Sequence, residues 1–441
     1  MLTHNLWLAW KSVRRNPILS FLIIAGIALG VAVSTSFVTV WHVLAKDPIP
    51  GKSDRLHYVR LDSWDPVQPW DEEDNAPPPL LTYQDMRAAM KSDIPVRKAA
   101  MAQTALYVYP GSPDQRPFRE AVRLTFSDFF PMFDVPFQYG SGWSPAADAK
   151  PEAVTVISSE LNERLFGGRD SVGERLRLAD REFRIVGVLA PWRPKVLVYD
   201  MSQNPYAEPE QIFIPFNLFE PMALSATGNQ ITWTRVDGNT FMERARNSEM
   251  IWIGMWAEFD NAGQRQAYLD FLNAYVNEQK KAGRFQRPLN NRLTAVVDLM
   301  EEWEVVPRQA KALAVISLLF LVIAALNLIG LFLGKFLARA SVVGVRRALG
   351  ASRRAIFLQH LVECELIGLI GGACGLLLSL GTLALVNRYY QPAGVEEKFF
   401  TLDPGMMLAA IGFALLAGAI AGVYPAWRIC SIPPARHLKN Q

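Results

Sequence analysis

Cysteine is scarce in this chain. There are three in 441 residues, Cys364, Cys374 and Cys430, all towards the C-terminal end. No disulfide framework can therefore brace anything before them. Charge is missing from four runs, Ile18–Trp41, Ala312–Gly334, Leu366–Val386 and Met406–Trp427. Each is long enough to cross a ~30 Å hydrocarbon core as a helix, and four in one chain argue against buried helices of a soluble core. No charged residue stands mid-span, so the usual mark of an ion or proton path is absent. Histidines are few and scattered: His4, His42, His57, His360 and His437. Only His360 and Cys364 share helical spacing, and two ligands do not make a metal site. A phosphate loop is also missing. Gly51-Lys52-Ser53 has the tail of that motif, but Lys46 stands where its first glycine belongs. No cofactor or metal site is read in the chain, which reads as a non-enzymatic subunit.

What is present is apolar and aromatic. Half the residues are hydrophobic, with 12 Trp and 24 Phe, which suits a membrane protein carrying a large extramembrane domain. The net charge of +3 hides a partition. Lys46–Ala310 holds 30 basic and 37 acidic residues, and the remainder holds 15 basic and 5 acidic. The basic excess gathers at Lys11, Arg14 and Arg15, in the stretch 335–359, and at Arg428, Arg436 and Lys439. If the chain crosses four times, all of these fall on one side, and short basic loops stay in the cytoplasm. Both termini are thus expected inside, with residues 46–310 outside. Basic residues spent on topology argue against a nucleic-acid partner.

Three regions follow. Residues 1–45 hold a short interfacial helix and the first span. Leu6, Trp7, Trp10 and Val13 make its apolar face, and Lys11, Arg14 and Arg15 the other. The first apolar run is too long for a signal-peptide core and lacks a small-x-small cut site, so it reads as a retained anchor. Residues 46–308 form the outside domain, large enough for a core of its own. Strand-like LHYVRLDSW, a helix over Leu81–Met90, strands over Val96–Tyr109, Arg181–Val188, EQIFIPF and MIWIGMWAEF, and a helix over Ala262–Gln279 predict an α/β fold. Its texture divides it into an α/β lobe built from about 46–117 and 215–308, and a β-rich lobe of about 118–214. Residues 309–441 carry spans two to four, and Leu299–Gln309 reads as a stalk helix continuing the second span outward. The fold class is an α-helical membrane protein with four transmembrane helices and a two-lobed α/β domain inserted between spans 1 and 2.

Every span carries a Gly-x-x-x-Gly pair: Gly26/Gly30, Gly330/Gly334, Gly368/Gly372 (with Gly371/Gly375) and Gly418/Gly422. Small residues at this spacing let helices approach closely in lipid, so all are read as helix-packing positions. Asn327, the most polar group in the spans, reads as a packing residue with a satisfied amide.

The chain is organised round KFLARASVVGVRRALGASRRAIFLQ, residues 335–359. It carries Lys335, Arg339, Arg346, Arg347, Arg353 and Arg354, and no acid. Val342, Val345 and Leu349 recur at helical spacing, Gly350 is placed to end the helix, and Ser352 to cap the next one. The residues alone leave two readings open: a loop that only sets topology, or a knob that something else grips.

The phrase GVRRALGASRRAIFLQHLVECELIGLIGGACGLLL resembles the first cytoplasmic loop and third span of MacB/FtsX-type ABC permeases. VISSELNERLFGGRDSVGERLRL with FRIVGVL is similar to the MacB-type periplasmic core domain, and AGVYPAWRICSIPPARHLKN looks like the family's closing phrase. The resemblance covers essentially the full chain. It implies that Val345, Arg346, Arg347, Ala348, Leu349 and Gly350 form a coupling helix against an ATPase. The family usually has an acidic pair just before the glycine, where this chain has Ser341, Val342 and Val343. The resemblance further implies a bacterial inner-membrane permease without a fused ATPase. Its partners would be a second permease, identical or homologous, and a cytoplasmic ATPase dimer that binds the ATP and Mg, with room for a periplasmic adaptor. Its action would be mechanotransmission, in which ATP-driven motion reaches the periplasmic domain. An FtsX-like scaffold controlling a cell-wall hydrolase is the alternative, and a ligand-sensing receptor a third.

The charge partition makes a topology prediction. A cysteine at position 341 (Ser341→Cys) should resist an impermeant thiol reagent in intact cells and react after permeabilisation. Labelling in intact cells would overturn the assignment of residues 335–359 to the inside.

Overall fold

The computed structural model describes residues 2–111, 116–390 and 400–431. The chain starts with α1 (Leu2–Arg15) and α2 (Pro17–Ala45). Then come β1 (Leu56–Arg60), β2 (Leu81–Thr82), α3 (Tyr83–Ala89), β3 (Arg97–Tyr109), β4 (Phe118–Thr125) and α4 (Phe129–Met132). Next are β5 (Phe137–Gly140), α5 (Pro145–Ala149), β6 (Val154–Ile157), α6 (Ser159–Phe166), β7 (Arg175–Leu178), β8 (Arg181–Leu189) and β9 (Ile212–Pro215). The domain ends with α7 (Phe241–Arg246), β10 (Ile251–Glu258), α8 (Ala262–Lys281), β11 (Arg292–Ala295) and α9 (Val296–Glu302). Helices α10 (Arg308–Leu337), α11 (Ala340–Ala348), α12 (Arg353–Tyr390) and α13 (Pro404–Cys430) complete the chain. Two compact units result: Asp47–Val305, and Met1–Lys46 with Val306–Gln441.

In the unit Asp47–Val305 the strands run β11-β1-β10-β3-β4-β9-β6-β8-β5. β10 (IWIGMWAE) is buried along its whole length, so it reads as a continuous apolar run rather than an alternating one. The long β3 joins two halves. Its residues Arg97–Met101 pair with β10, and Ala102–Val108 pair with β4. The strands beside its first part come from the two ends of the segment, and those beside its second part from the middle. Helix α8 is capped by Asn261, whose side chain accepts the Gln264 N–H, and buries Tyr268, Leu272 and Val276 four residues apart.

Buried ion clusters in this unit include those built on Arg123 and Arg284. Arg123 of β4, 1% exposed, pairs with Asp200 and Glu210, and Tyr199 donates to Glu210 at 3.0 Å. Burial pushes the Asp200 carboxyl up, against the pull of Arg123, and pushes the Tyr199 hydroxyl well up. Arg284 bridges Asp85 at 2.9 Å and Glu249 at 2.6 Å, tying α3 to the approaches of α8 and β10.

The stalk expected over Leu299–Gln309 is not continuous. Helix α9 stops at Glu302, Glu304 has φ 48°, and Pro307 caps α10. A proline cannot give its N–H to a helix running through from α9, so the chain breaks there.

Among the described residues, four helices are long and apolar enough to cross a membrane: α2, α10, α12 and α13. α2 packs on α10 and α12, α13 packs on α12 and α10, and α1 lies against α12. Helix α12 has 38 residues, about 57 Å at 1.5 Å per residue, so it outruns a ~30 Å hydrocarbon core. Glycines close several of these contacts. A Cβ on Gly26 would stand 3.1 Å from Leu328, and one on Gly30 2.9 Å from Leu321. On Gly372 it would stand 2.5 Å from the Ala414 Cβ, and on Gly422 it would strike Cys364. Gly368 and Gly418 face each other, with a Cβ on either 3.5 Å from the other's Cα. Gly330 and Gly334 differ. They lie off the buried stripe of α10 (Ala314, Ser317, Leu321, Ala325, Leu328, Phe332, Lys335), and a Cβ on either would meet none of the described residues' atoms within 4 Å beyond its own helix backbone. Asn327 is likewise exposed on α10.

The fragment 47–305 should unfold cooperatively without metal or reductant sensitivity. Within it, Arg123→Met strands two buried carboxylates and should cost about 3–5 kcal/mol. Arg175→Met, at an exposed pair with Glu182, should cost under about 1 kcal/mol. Chemical denaturation of the three proteins checks this, and equal costs would contradict it.

Candidate functional site

The site is the basic end of the helical unit, where α10 turns into α11 and α11 into α12. The turn after α11 follows from one residue. Gly350 sits at φ 98°, in the left-handed region that glycine enters without steric cost. Its N–H bonds to Arg347 O at 3.1 Å, and the Ala351 N–H bonds to Arg346 O at 3.0 Å. That paired closure ties off the helix end. Ser352 then accepts the Ala355 N–H at 3.2 Å and starts α12.

Helix α11 is braced from beneath and bare on top. Ala340 and Val343 are buried in the cluster that holds Phe336, Ile356, Ile429 and Cys430. Val342 and Val345 are each 46% exposed and Leu349 is 83% exposed. The apolar stripe read from the sequence therefore faces outward, and the inner face is built from the residues between. Ala348 and Gly350 are exposed with it. Arg346 donates to Gln359 Oε1 of α12 at 3.0 Å, and Arg347 to the Cys430 carbonyl of α13 at 3.1 Å. Both arginines thus hold α11 in place, a role that the sequence reading did not give them. The result is a short, rigid, cationic helix with an uncovered apolar ridge, suited to gripping an apolar groove with acidic or carbonyl groups at its rim.

Under the α10–α11 corner lies a set of residues that the sequence reading missed. Lys335 Nζ is 2.8 Å from Glu363 Oε1, with side chains 0% and 4% exposed. Lys335 also donates to Ser20 Oγ at 3.1 Å. Ser12 donates to Glu363, and Arg339 donates to Ser12 Oγ and, at 3.0 Å, to Ser12 O. Arg339 is the residue that opens α11. The sequence does carry a signal: Glu363 is the first acid after residue 304, three residues before the apolar run that begins at Leu366. Arg436 and Lys439, the closing basic residues, lie outside the described residues.

Comparison with known proteins bears on this arrangement. Residues 20–249 match the model of the MacB-like periplasmic core domain, and residues 314–434 that of the FtsX-like permease C-terminal. The macrolide export ATP-binding/permease protein MacB of Bdellovibrio bacteriovorus is 21% identical over 304 residues, covering 69% of this chain and 41% of that protein. The uncharacterized ABC transporter permease YvrN of Bacillus subtilis is 20% identical over 452 residues and covers 100% of both chains. The chain spans about half the length of the MacB relatives it matches. The solved periplasmic region of MacB from Actinobacillus actinomycetemcomitans aligns over 58% of this chain and 94% of its own, at 9% identity and a TM-score of 0.35. With its first family model spanning more than half of its length and the second covering the C-terminal spans, the chain belongs to the MacB-like family and is an ABC transporter permease of the MacB/FtsX type.

Proposed function

We propose that this permease works by mechanotransmission. Two copies of a cytoplasmic ATPase chain grip α11 of a permease pair, and ATP-driven closure of the ATPases moves the spans and, through them, the outer domain. Export is the proposed direction, because the MacB and PvdT relatives are named as exporters of macrolides and pyoverdine. The observation that carries the reading is the bare ridge Val342–Val345–Leu349 on a helix whose other face is locked. A loop needed only for topology has no use for an exposed leucine beside four arginines, since the charge alone sets orientation. An apolar ridge rimmed by arginines is instead the composition of an interface core with a polar edge. The second permease of the pair has a place to pack on α10, where Gly330 and Gly334 stand open beside Asn327.

Truncating an interface anchor commonly costs about 2 kcal/mol or more, roughly thirtyfold in affinity. Leu349→Ala should therefore reduce ATPase co-purification and uncouple hydrolysis from transport, while the protein still inserts. Gly350→Val should act in the same direction by forcing a branched residue into positive φ, at a cost of about 1–3 kcal/mol. Co-purification and permease-dependent hydrolysis of the correctly inserted proteins decide. Wild-type values for both variants would remove the coupling assignment.

A further inference from the structure

A lysine and a glutamate buried at the end of an apolar bundle need a reason. Taking a charge pair out of water costs several kcal/mol per ion, and well-packed apolar residues often serve stability as well or better. The Lys335–Glu363 cluster is also hydrogen-bonded from several helices. None of its side-chain atoms is among the buried polar atoms left without a hydrogen bond, although Thr35, Ser36 and Thr39 of α2 are. A satisfied polar network fixes one geometry where apolar packing would accept several.

The connections of the cluster say which geometry is being fixed. Ser12 belongs to α1, Ser20 to α2, Lys335 to α10 and Glu363 to α12. Arg339, which opens α11, reaches the same oxygens, 3.8 Å from Glu363 and bonded to Ser12. His360, one turn before Glu363, sets its ring edge-on to Phe336 of α10 at 4.6 Å and hydrogen-bonds Ile356 O at 2.9 Å. Four helices and the root of α11 therefore meet at one ion pair. Between α10 and α11 the chain has only Ala338 and Arg339 to resist bending. Arg346 and Arg347 tie the body of α11 to α12 and α13, and this cluster ties its root to α1 and α2; without it, a push on α11 would flex the corner before reaching those two helices.

We propose that Lys335 and Glu363 are positioning residues that pin the root of α11 to α1, α2, α10 and α12, so that movement of α11 is delivered to the spans instead of being lost at the α10–α11 corner. The proposal rests on the coupling role given to α11 above. It adds the residues through which that coupling passes, none of which lies on the docking ridge.

The test uses the full chain in membranes with its ATPase, and follows backbone amide exchange with and without a non-hydrolysable ATP analogue. In the wild type, the analogue should change exchange in α11 and also in α1, α2 and the first turns of α12. Lys335→Met with Glu363→Met removes both charges at similar side-chain length. It should insert and retain the ATPase, yet lose the analogue-dependent change in α2 by roughly tenfold and show a weaker one in α1. A role in stability alone would alter exchange without the analogue and leave the analogue-dependent difference intact. Ser12→Ala with Ser20→Ala keeps the ion pair, and so the fold, but cuts its ties to α1 and α2. In that variant α12 should still respond while α2 should not, and α1, which keeps the Arg339 bond to Ser12 O, should respond less; this decides the matter if the methionine pair fails to insert. Wild-type transmission in either inserted variant overturns the proposal alone. No analogue-dependent change at α11 of the wild type overturns the coupling reading, and the proposal with it.

Discussion

One ion pair in an apolar bundle, Lys335 with Glu363, sets conditions that the helical unit around it has to meet. Each partner would be prohibitively costly alone in this environment, so the helices that carry them cannot separate or change register without leaving a charge unpaired. Serines from two further helices hydrogen-bond them. The glycines and alanines along α2, α12 and α13 then let the remaining backbones close on this fixed point. Gly372 against Ala414, and Gly371 and Gly375 against Ile27 and Val31, leave no room for a larger side chain. In lipid, where apolar surface gains nothing from leaving its surroundings, this combination of close packing and one polar tie is how a bundle acquires a single arrangement.

At the end of that bundle, stiffness and exposure meet in α11. Arg346 and Arg347 hold it to α12 and α13, the buried Val343 seats it, and Gly350 turns the chain sharply away. Its ridge stays bare because the inward positions are taken by other residues. The unit Asp47–Val305 solves its stability differently. It has no cysteine and relies on a long shared strand, a continuous apolar core and buried arginine clusters such as those at Arg123 and Arg284.

Local signals were legible and distant ones were not. The four spans, the strands at β1, β8, β9 and β10, the corner at Gly350 and the cap at Ser352 each rest on residues within one or two turns of each other. Charge-free length, apolar runs and cap chemistry are enough to place such features. Ser12 and Glu363 are 351 residues apart, and no periodicity reports such a pairing. Lys335 borders a basic loop and so reads as one of the topology charges, while its burial depends on where α12 lies. Gly330 and Gly334 match the packing motif as well as Gly26 and Gly30 do, but only helix rotation decides which pair meets a neighbour. Pro307 stands between two stretches of helical composition, and the backbone at Glu304 and Pro307 is what ends one helix and starts the next.

The central claim is that the bare ridge of α11 is the surface an ATPase grips. A photo-reactive residue placed at Leu349 in the intact membrane complex tests it most directly, because that side chain is 83% exposed. The account predicts a crosslink from position 349 to a cytoplasmic ATPase chain, absent when the reactive residue is moved to the buried Val343. Crosslinks from position 349 confined to lipid or to the permease itself would contradict it.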